Sequence, residues 1–334
     1  MPDNVYSMAY TGDTPWHKKG NRLVPGADRE TWARDAGYNW TVESSPIYYR
    51  DGDNAQVSKR HRVFYRSDRP DIVLGVASNQ FKPVQPRELL DFYFQFSQET
   101  ELEVETAGVL GDGQRLWVLA KNKARYNVGT EASPDVIENY LLGATANDGS
   151  MGTRFKGTGI RVVCANTADA ALKSGQKGLT INHRSRVDWD QVRKWVKGEN
   201  DEFMLFGNLM SAFKSVDVDN DQAADFAKTL IAPEWDGKGK APRKLRNFVT
   251  TLNSGVGQRE AGPNAFGLFN AVTRYVDHDK QARSDDTRLD QAWFGAGATL
   301  KNAAMGLLIQ NCVEKWGARS ALQPVLTEID HELA

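Results

Sequence analysis

The chain has 334 residues, 40% of them hydrophobic and 25% charged, with 42 Lys and Arg against 43 Asp and Glu. That is the profile of an ordinary soluble globular protein, long enough for one large domain or two smaller ones. No apolar run approaches the ~20 residues that span a bilayer, and the opening MPDNVYSMAYTGDTPW has no basic start before an apolar core, so neither a membrane span nor a signal peptide is expected and the compartment expected is the cytoplasm.

Residues 1–27 are polar and punctuated by Gly and Pro, and read as an N-terminal arm. Asp28 is a candidate N-cap for a short helix, Arg29 to Ala36, ended by Gly37. Strands follow. Tyr38 to Tyr49 alternates and turns at Asp51-Gly52-Asp53, and Arg60 to Tyr65 returns with His61, Val63 and Tyr65 on one face and Arg60 and Arg62 on the other. Ile72 to Ala77 is dense enough in apolar residues to suggest a central strand. Pro86 stands at the start of a helix whose Leu89, Leu90, Phe92, Tyr93 and Phe96 make a broad apolar surface. Glu101 to Leu110 and Gln114 to Lys121 form a hairpin around Gly111-Asp112-Gly113. Ile137 to Ala146 is a strand. Gly152 to Gly159 reads as a glycine-broken basic loop and Ile160 to Ala165 as the strand after it. Asn166 or Thr167 is placed to cap a helix through Leu172, and Leu179 to Arg186 reads as a last short strand.

Beyond Asp188 the apolar spacing becomes helical. Val192, Trp195, Val196, Phe203, Phe206, Leu209, Met210 and Phe213 mark one long helix, weakened at Gly198 and Gly207. Further helices are expected at Asp221 to Ile231, Pro242 to Leu252, Asn264 to Tyr275 and Arg288 to Trp316. Strands grouped before helices define an α+β fold, a hairpin-rich antiparallel sheet packed by helices and followed by a mainly helical C-terminal region. The division expected is an arm at 1–27, an α+β core at 28–187 and a helical region at 188–334.

Charge is segregated. Between Gly149 and Lys197 ten Lys/Arg face three Asp, a surplus of seven in a chain whose net charge is −1. Gly152 to Gly159 has the glycine spacing of a phosphate-binding loop. Its Lys lies inside the loop, however, and an apolar strand follows where a helix N-terminus would have to hold the phosphate, so nucleotide hydrolysis is rejected. What remains is a basic tip carrying Arg154, Phe155 and Lys156, suited to neutralising phosphates and stacking a base. On alternating strands, Arg60/Arg62, Lys121/Lys123/Arg125 and Arg184/Arg186 would each point to one face. In a single sheet they would build a continuous basic track, unless Glu101, Glu103 and Glu105 compensate them.

Other motifs favour structure over chemistry. Cys164 and Cys312 lie in apolar runs and read as buried small hydrophobes. Asp217-Val-Asp219-Asn-Asp221 resembles half an EF-hand loop, but Gln222 replaces the glycine and Lys228 the final acid, so an acidic helix start is preferred. Asp277-His278-Asp279 has no matching His or Cys pair. No cofactor and no catalytic set is expected.

Arg161-Val-Val-Cys-Ala-Asn-Thr167, then Ala170-Ala-Leu and Ile181-Asn-His183-Arg, resembles the phage/plasmid-like protein family, long described as a domain of unknown function. Trp16-His17, Asn270-Ala-Val-Thr-Arg-Tyr275-Val-Asp-His278 and Gly295 to Lys301 resemble later and earlier segments of the same family. Members occur among replication and recombination genes of bacteriophages and plasmids. By analogy of architecture the chain is similar to single-strand annealing proteins of the RecT/Redβ superfamily. That resemblance implies ATP-independent annealing of single-stranded DNA by a ring or filament of identical subunits in a host-cell cytoplasm, with a phage exonuclease or single-strand-binding protein as a further partner. Arg60, Arg62, Lys121, Lys123, Arg154, Lys156, Arg161, Arg184 and Arg186 would meet phosphates and Phe155 a base. The alternatives are a protein-interaction factor, such as a host-defence inhibitor or regulator, and a metal-dependent nucleic-acid enzyme using Asp277, His278 and Asp279.

Overall fold

The computed structural model describes residues 5–12, 20–161, 166–169, 178–254, 261–280 and 295–332. The fold is α+β. The main sheet has the order β10-β9-β8-β7-β6-β1-β2, with β11 pairing to β9, and a second sheet has the order β3-β4-β5. The strands are β1 Val5–Tyr10, β2 Asn21–Arg22, β3 Val42–Asp51, β4 Asn54–Arg66, β5 Val73–Ser78, β6 Leu102–Leu110, β7 Arg115–Asn127, β8 Val136–Ala146, β9 Thr153–Arg161, β10 Asn166–Asp169 and β11 Leu179–Ile181. Between them lie α1 Arg29–Asp35 and α2 Pro86–Glu99. The C-terminal helices are α3 Trp189–Lys214, α4 Asn220–Ile231, α5 Arg243–Ser254, α6 Ala265–Arg274, α7 Ala296–Gln310 and α8 Arg319–Glu332. α6 and α7 run directly into π-helical turns, Tyr275–Asp279 and Asn311–Lys315.

The chain divides into two compact units. The first takes the described residues of 1–123, 140–156 and 177–198. Here α2 begins at Pro86, whose fixed φ suits the first helical position. A capping box closes its start, with the Gln85 amide donating to Glu88 Oε2 at 2.9 Å. Its apolar face, Leu89, Leu90, Phe92, Tyr93 and Phe96, is buried with Trp32, Tyr38, Val118, Leu141 and Phe155. Asp28 caps α1 by accepting from the Thr31 amide at 2.7 Å. Gly37 follows at φ +80, where a side chain would be strained. The second unit takes the described residues of 124–139, 157–176 and 199–334. Its core joins Phe203, Phe206, Leu209 and Phe213 of α3 to Phe226, Phe248, Phe266 and Leu308. A Cβ on Gly207 would lie 2.1 Å from the Tyr126 ring, so glycine there admits the tyrosine instead of breaking the helix.

Several expectations are corrected. Residues 5–10, expected in an arm, form β1, antiparallel to β6 with Met8 opposite Gly108. In the three-stranded sheet β5, expected to be central, lies at an edge, and β4 is central. From Thr153 onward the glycine stretch 152–159 lies in strand β9 and is not a loop. Its glycines allow close packing: a Cβ on Gly152 would sit 2.6 Å from the Ile181 carbonyl, and one on Gly159 would sit 2.9 Å from Ile137 Cγ2. Asn166 and Thr167 pair with Arg161 and Ile160 in β10 and cap no helix there. β11 ends at Ile181, so Arg184 and Arg186 are not on a strand. α8 lies beyond the last helix anticipated. Trp16-His17, Cys164, residues 170–172 and residues 288–294 fall outside the described residues. Cys312 is buried, and burial pushes its thiol up to about 12, as expected of a small hydrophobe.

Phe155 shows no exposure and packs edge-on to Phe92 and Trp189, with ring centroids 5.5 and 6.0 Å away. Phe155→Ala should therefore cost about 3–5 kcal/mol of stability, read from the urea midpoint. An unchanged midpoint would show that the ring is not part of this core.

Candidate nucleic-acid interface

Strand alternation decides where the basic residues go. With Phe155 drawn into the core, Arg154 and Lys156 take the opposite face of β9. Lys156 is only 5% exposed there and Arg154 half-buried. Phe155 thus cannot stack a base, and Lys156 is no free phosphate ligand. On β7, Lys121 is half-buried with its amine 5.8 Å from the centre of the Tyr140 ring, and the Tyr140 hydroxyl donates to the Glu105 carboxylate at 3.1 Å. Lys123 lies 4.0 Å from Glu101, and Arg125 lies 3.3 Å from Glu138. The compensation by acids that the sequence left open is therefore present at Lys123, through Glu101. Such exposed pairs contribute ~0–1 kcal/mol each, but they lower the local positive potential.

Arg60 and Arg62 belong to the three-stranded sheet, not to the main one, so the continuous basic track is not formed. Arg62 is tied down, donating to Ser44 Oγ at 3.0 Å and to the Ser44 carbonyl at 3.1 Å. Arg60 is exposed. Arg184 and Arg186 are exposed in the turn after β11. Of Arg161 only the backbone is described, paired with Asn166; its side chain lies outside the described residues.

What the structure brings together instead is the β3–β4 hairpin. The register is regular from Val42↔Arg66 to Pro46↔Arg62, then slips to Tyr48↔Val57 and Arg50↔Ala55. The slip loops out Ser58 to His61, closed by the His61 amide donating to Ser58 Oγ at 3.2 Å. Lys59, Arg60 and His61 are all exposed on that bulge. Toward the turn, Tyr48 is 68% exposed and Tyr49 54%. Tyr48 and Arg50, two residues apart, share one face, with Val57 directly across from Tyr48; Tyr49 takes the other face. Two aromatic rings, Arg50, Lys59 and Arg60 therefore stand together on one ribbon, along with the acids Asp51 and Asp53 at the turn. The signal in the sequence was the run Ile47-Tyr48-Tyr49. Three consecutive large apolar residues on a strand cannot all face one core, so at least one ring had to be presented outward.

The turn carrying Arg184 hangs on His183. Its Nδ1 lies 2.9 Å from the Lys82 carbonyl oxygen, which can only accept, so Nδ1 carries the proton. Nε2 is 3.4 Å from Thr145 Oγ1, which in turn is 2.8 Å from Thr153 Oγ1. The ring lies tilted against Phe81, with centroids 4.6 Å apart. Burial lowers its pKa, only partly opposed by the Lys82 and Met151 carbonyls and by Asp148.

The acids proposed for a metal are engaged by the protein itself. Asp277 accepts from the buried Lys301 amine at 2.5 Å. Asp279 accepts from Thr251 Oγ1 at 2.8 Å and lies 3.5 Å from Arg274 Nε. Among the described residues no cluster of three His, Cys, Asp or Glu is arranged to hold a metal ion. Asp219 caps α4 through the Gln222 amide, and Gln222 returns the bond, which explains glutamine where an EF-hand needs glycine. No described helix is long and apolar enough to cross a membrane.

With this geometry in place, comparison with known proteins adds one result. A family model described as a domain of unknown function (DUF932) matches residues 73–293, and the chain belongs to that family. No curated protein and no solved structure matches it. The β3–β4 hairpin lies before the matched segment.

His183 yields a prediction with a definite sign. The folded protein keeps the ring neutral to lower pH than the unfolded chain does. Its contribution is thus complete above the ordinary histidine value of about 6.5 and is lost as pH falls toward the depressed folded value. The urea midpoint of the wild type should drop more between pH 7.5 and 5.5 than that of His183→Gln. Equal drops would mean that another group carries the effect.

Proposed function

We propose that the protein binds single-stranded DNA through the β3–β4 hairpin and anneals complementary strands without ATP, as a ring or filament of identical subunits in recombination of a mobile element such as a phage or plasmid. The observation that carries this is the exposure of Tyr48, Tyr49, Arg50, Lys59 and Arg60 on one ribbon, with Tyr48 and Arg50 on the same face. Single-strand binders combine cations that track phosphates with rings on which bases stack, and each stacked base contributes about 1–3 kcal/mol. Arg184 and Arg186 are exposed and available to extend the phosphate contact; the buried Lys156 and the Ser44-bound Arg62 are weaker candidates.

A second reading is favoured by the outer face of the same sheet. Val76 opposite Val63 and Val73 opposite Tyr65 lie on one face, and both β5 valines are more than half exposed. An apolar face of this kind suits a protein partner, as a regulator or inhibitor would need.

Fluorescence anisotropy with a labelled oligothymidylate separates the contributions. Tyr48→Ala/Tyr49→Ala should weaken binding roughly ten- to hundredfold at fixed salt. Lys59→Ala/Arg60→Ala should flatten the slope of log K against log salt by about 1.4, two phosphates at about 0.7 each. No affinity for the single strand at low salt would refute the proposal. Tighter binding to duplex would place the ribbon in a groove of double-stranded DNA instead. Binding without faster annealing of complementary oligonucleotides would remove the annealing step and favour the regulator.

A further inference from the structure

The second unit contains a cleft that the nucleic-acid proposal does not use. α4 and α5 form its walls with Ala224, Ala227, Leu245 and Val249, and Trp235 and Ala241 from the connecting segment close it. Its volume is about 510 Å³, within the size range of small-molecule sites. The walls offer carbon. Even the Trp235 indole N–H is spent, donating to the Lys238 carbonyl at 2.9 Å. At the rim stand Lys228, Arg246 and the acid Asp225.

These two cations differ from their neighbours. Lys244 pairs with Glu234 at 2.8 Å, and the rim acid Asp225 pairs with Lys315 at 3.7 Å. Lys228 and Arg246 have no carboxylate within 4.0 Å among the described residues. An apolar chamber whose mouth carries two cations without an ion pair among the described residues, beside an acid already paired with Lys315, is complementary to one kind of ligand: an apolar body carrying a single anionic head.

We infer that the α4–α5 cleft binds a small amphiphilic carboxylate, with its hydrocarbon against Trp235, Leu245 and Val249 and its carboxylate between Lys228 and Arg246. Apolar contact gives most of the affinity and the cations select the headgroup. This site is independent of the hairpin, so the two proposals stand or fall separately.

The probes are octanoate, decanoate and dodecanoate below their micellar concentrations, titrated into the full-length protein by calorimetry and by tryptophan fluorescence. One site is expected, with affinity rising about three- to fourfold per methylene until the cleft is full. Trp235→Phe should abolish the fluorescence change while leaving the calorimetric binding. Lys228→Gln/Arg246→Gln should weaken decanoate at least tenfold and leave decanol unchanged. Ala224→Leu, at an exposed helical position where leucine is well tolerated, should block the cleft without unfolding the chain. The inference is overturned if decanoate does not bind at millimolar concentration, if decanol binds as tightly as decanoate, or if binding survives Ala224→Leu. Single-strand affinity measured on the same variants should not move.

Discussion

A buried guanidinium joins the two sheets of the first unit. Arg66, at the end of β4, is 1% exposed. Its plane lies over the rings of Tyr6 and Trp40, 4.6 and 4.5 Å from their centres. It donates to both carboxylate oxygens of Asp68, at 2.9 and 2.7 Å, and to the Asp112 carbonyl at 3.0 Å. Tyr6 belongs to β1 and Asp112 to the β6–β7 turn, so one side chain ties the three-stranded sheet to the main one. Removing an ion from water costs several kcal/mol unless its donors are satisfied. Here the fork is matched by a bidentate carboxylate, two ring faces and a carbonyl. The same contact holds the Asp68 carboxyl below the usual carboxylate range. Lysine could not make this joint, because it lacks the planar fork.

That joint allows the hairpin to be exposed. A two-stranded ribbon is marginal by itself in water. Held at its base by Arg66, with Phe64, Leu74 and Val42 in the core, β3–β4 can carry residues 48–57 outside any core of its own. Tyr48 and Tyr49 are thereby presented as rings rather than folded inward. The charge surplus between Gly149 and Lys197 plays a different part. Within it Lys156 is buried, Arg154 is half-buried and Arg193 pairs with Asp190, whereas Arg184, Arg186, Lys194 and Lys197 are exposed, so a high count of cations in one stretch of sequence is divided between the interior and the surface.

How much could be read beforehand follows from the range of each interaction. α2 was legible because Pro86 and the apolar spacing both act within a few residues. So were the Gly52 and Gly111 turns, the N-cap Asp28 and the long helix α3. The stretch 152–159 was misread because its glycines are there for partners distant in sequence. Gly152 faces the Ile181 carbonyl and Gly159 faces Ile137 and Phe206. Locally, Gly, Thr, Arg and Lys resemble a loop. Residues 5–10 resemble an arm until their pairing with β6 is known, and β5 looks central because the face it shows to solvent is as apolar as the one it buries.

The candidate site divides in the same way. The sequence by itself determined the α+β class, the order of strands before helices and the residue types able to meet phosphate. Patterning and turn chemistry are local, so they survive without a structure. Only the tertiary structure decided which cations share a surface. It placed Arg60 and Arg62 in a different sheet from Lys121, buried Phe155 and Lys156, paired Lys123 with Glu101, and set Tyr48 beside Arg50 and opposite Val57. Sheet partnership and register are settled by contacts between residues far apart in the chain, and a shift of one residue in a strand exchanges the face that is buried for the face that is offered.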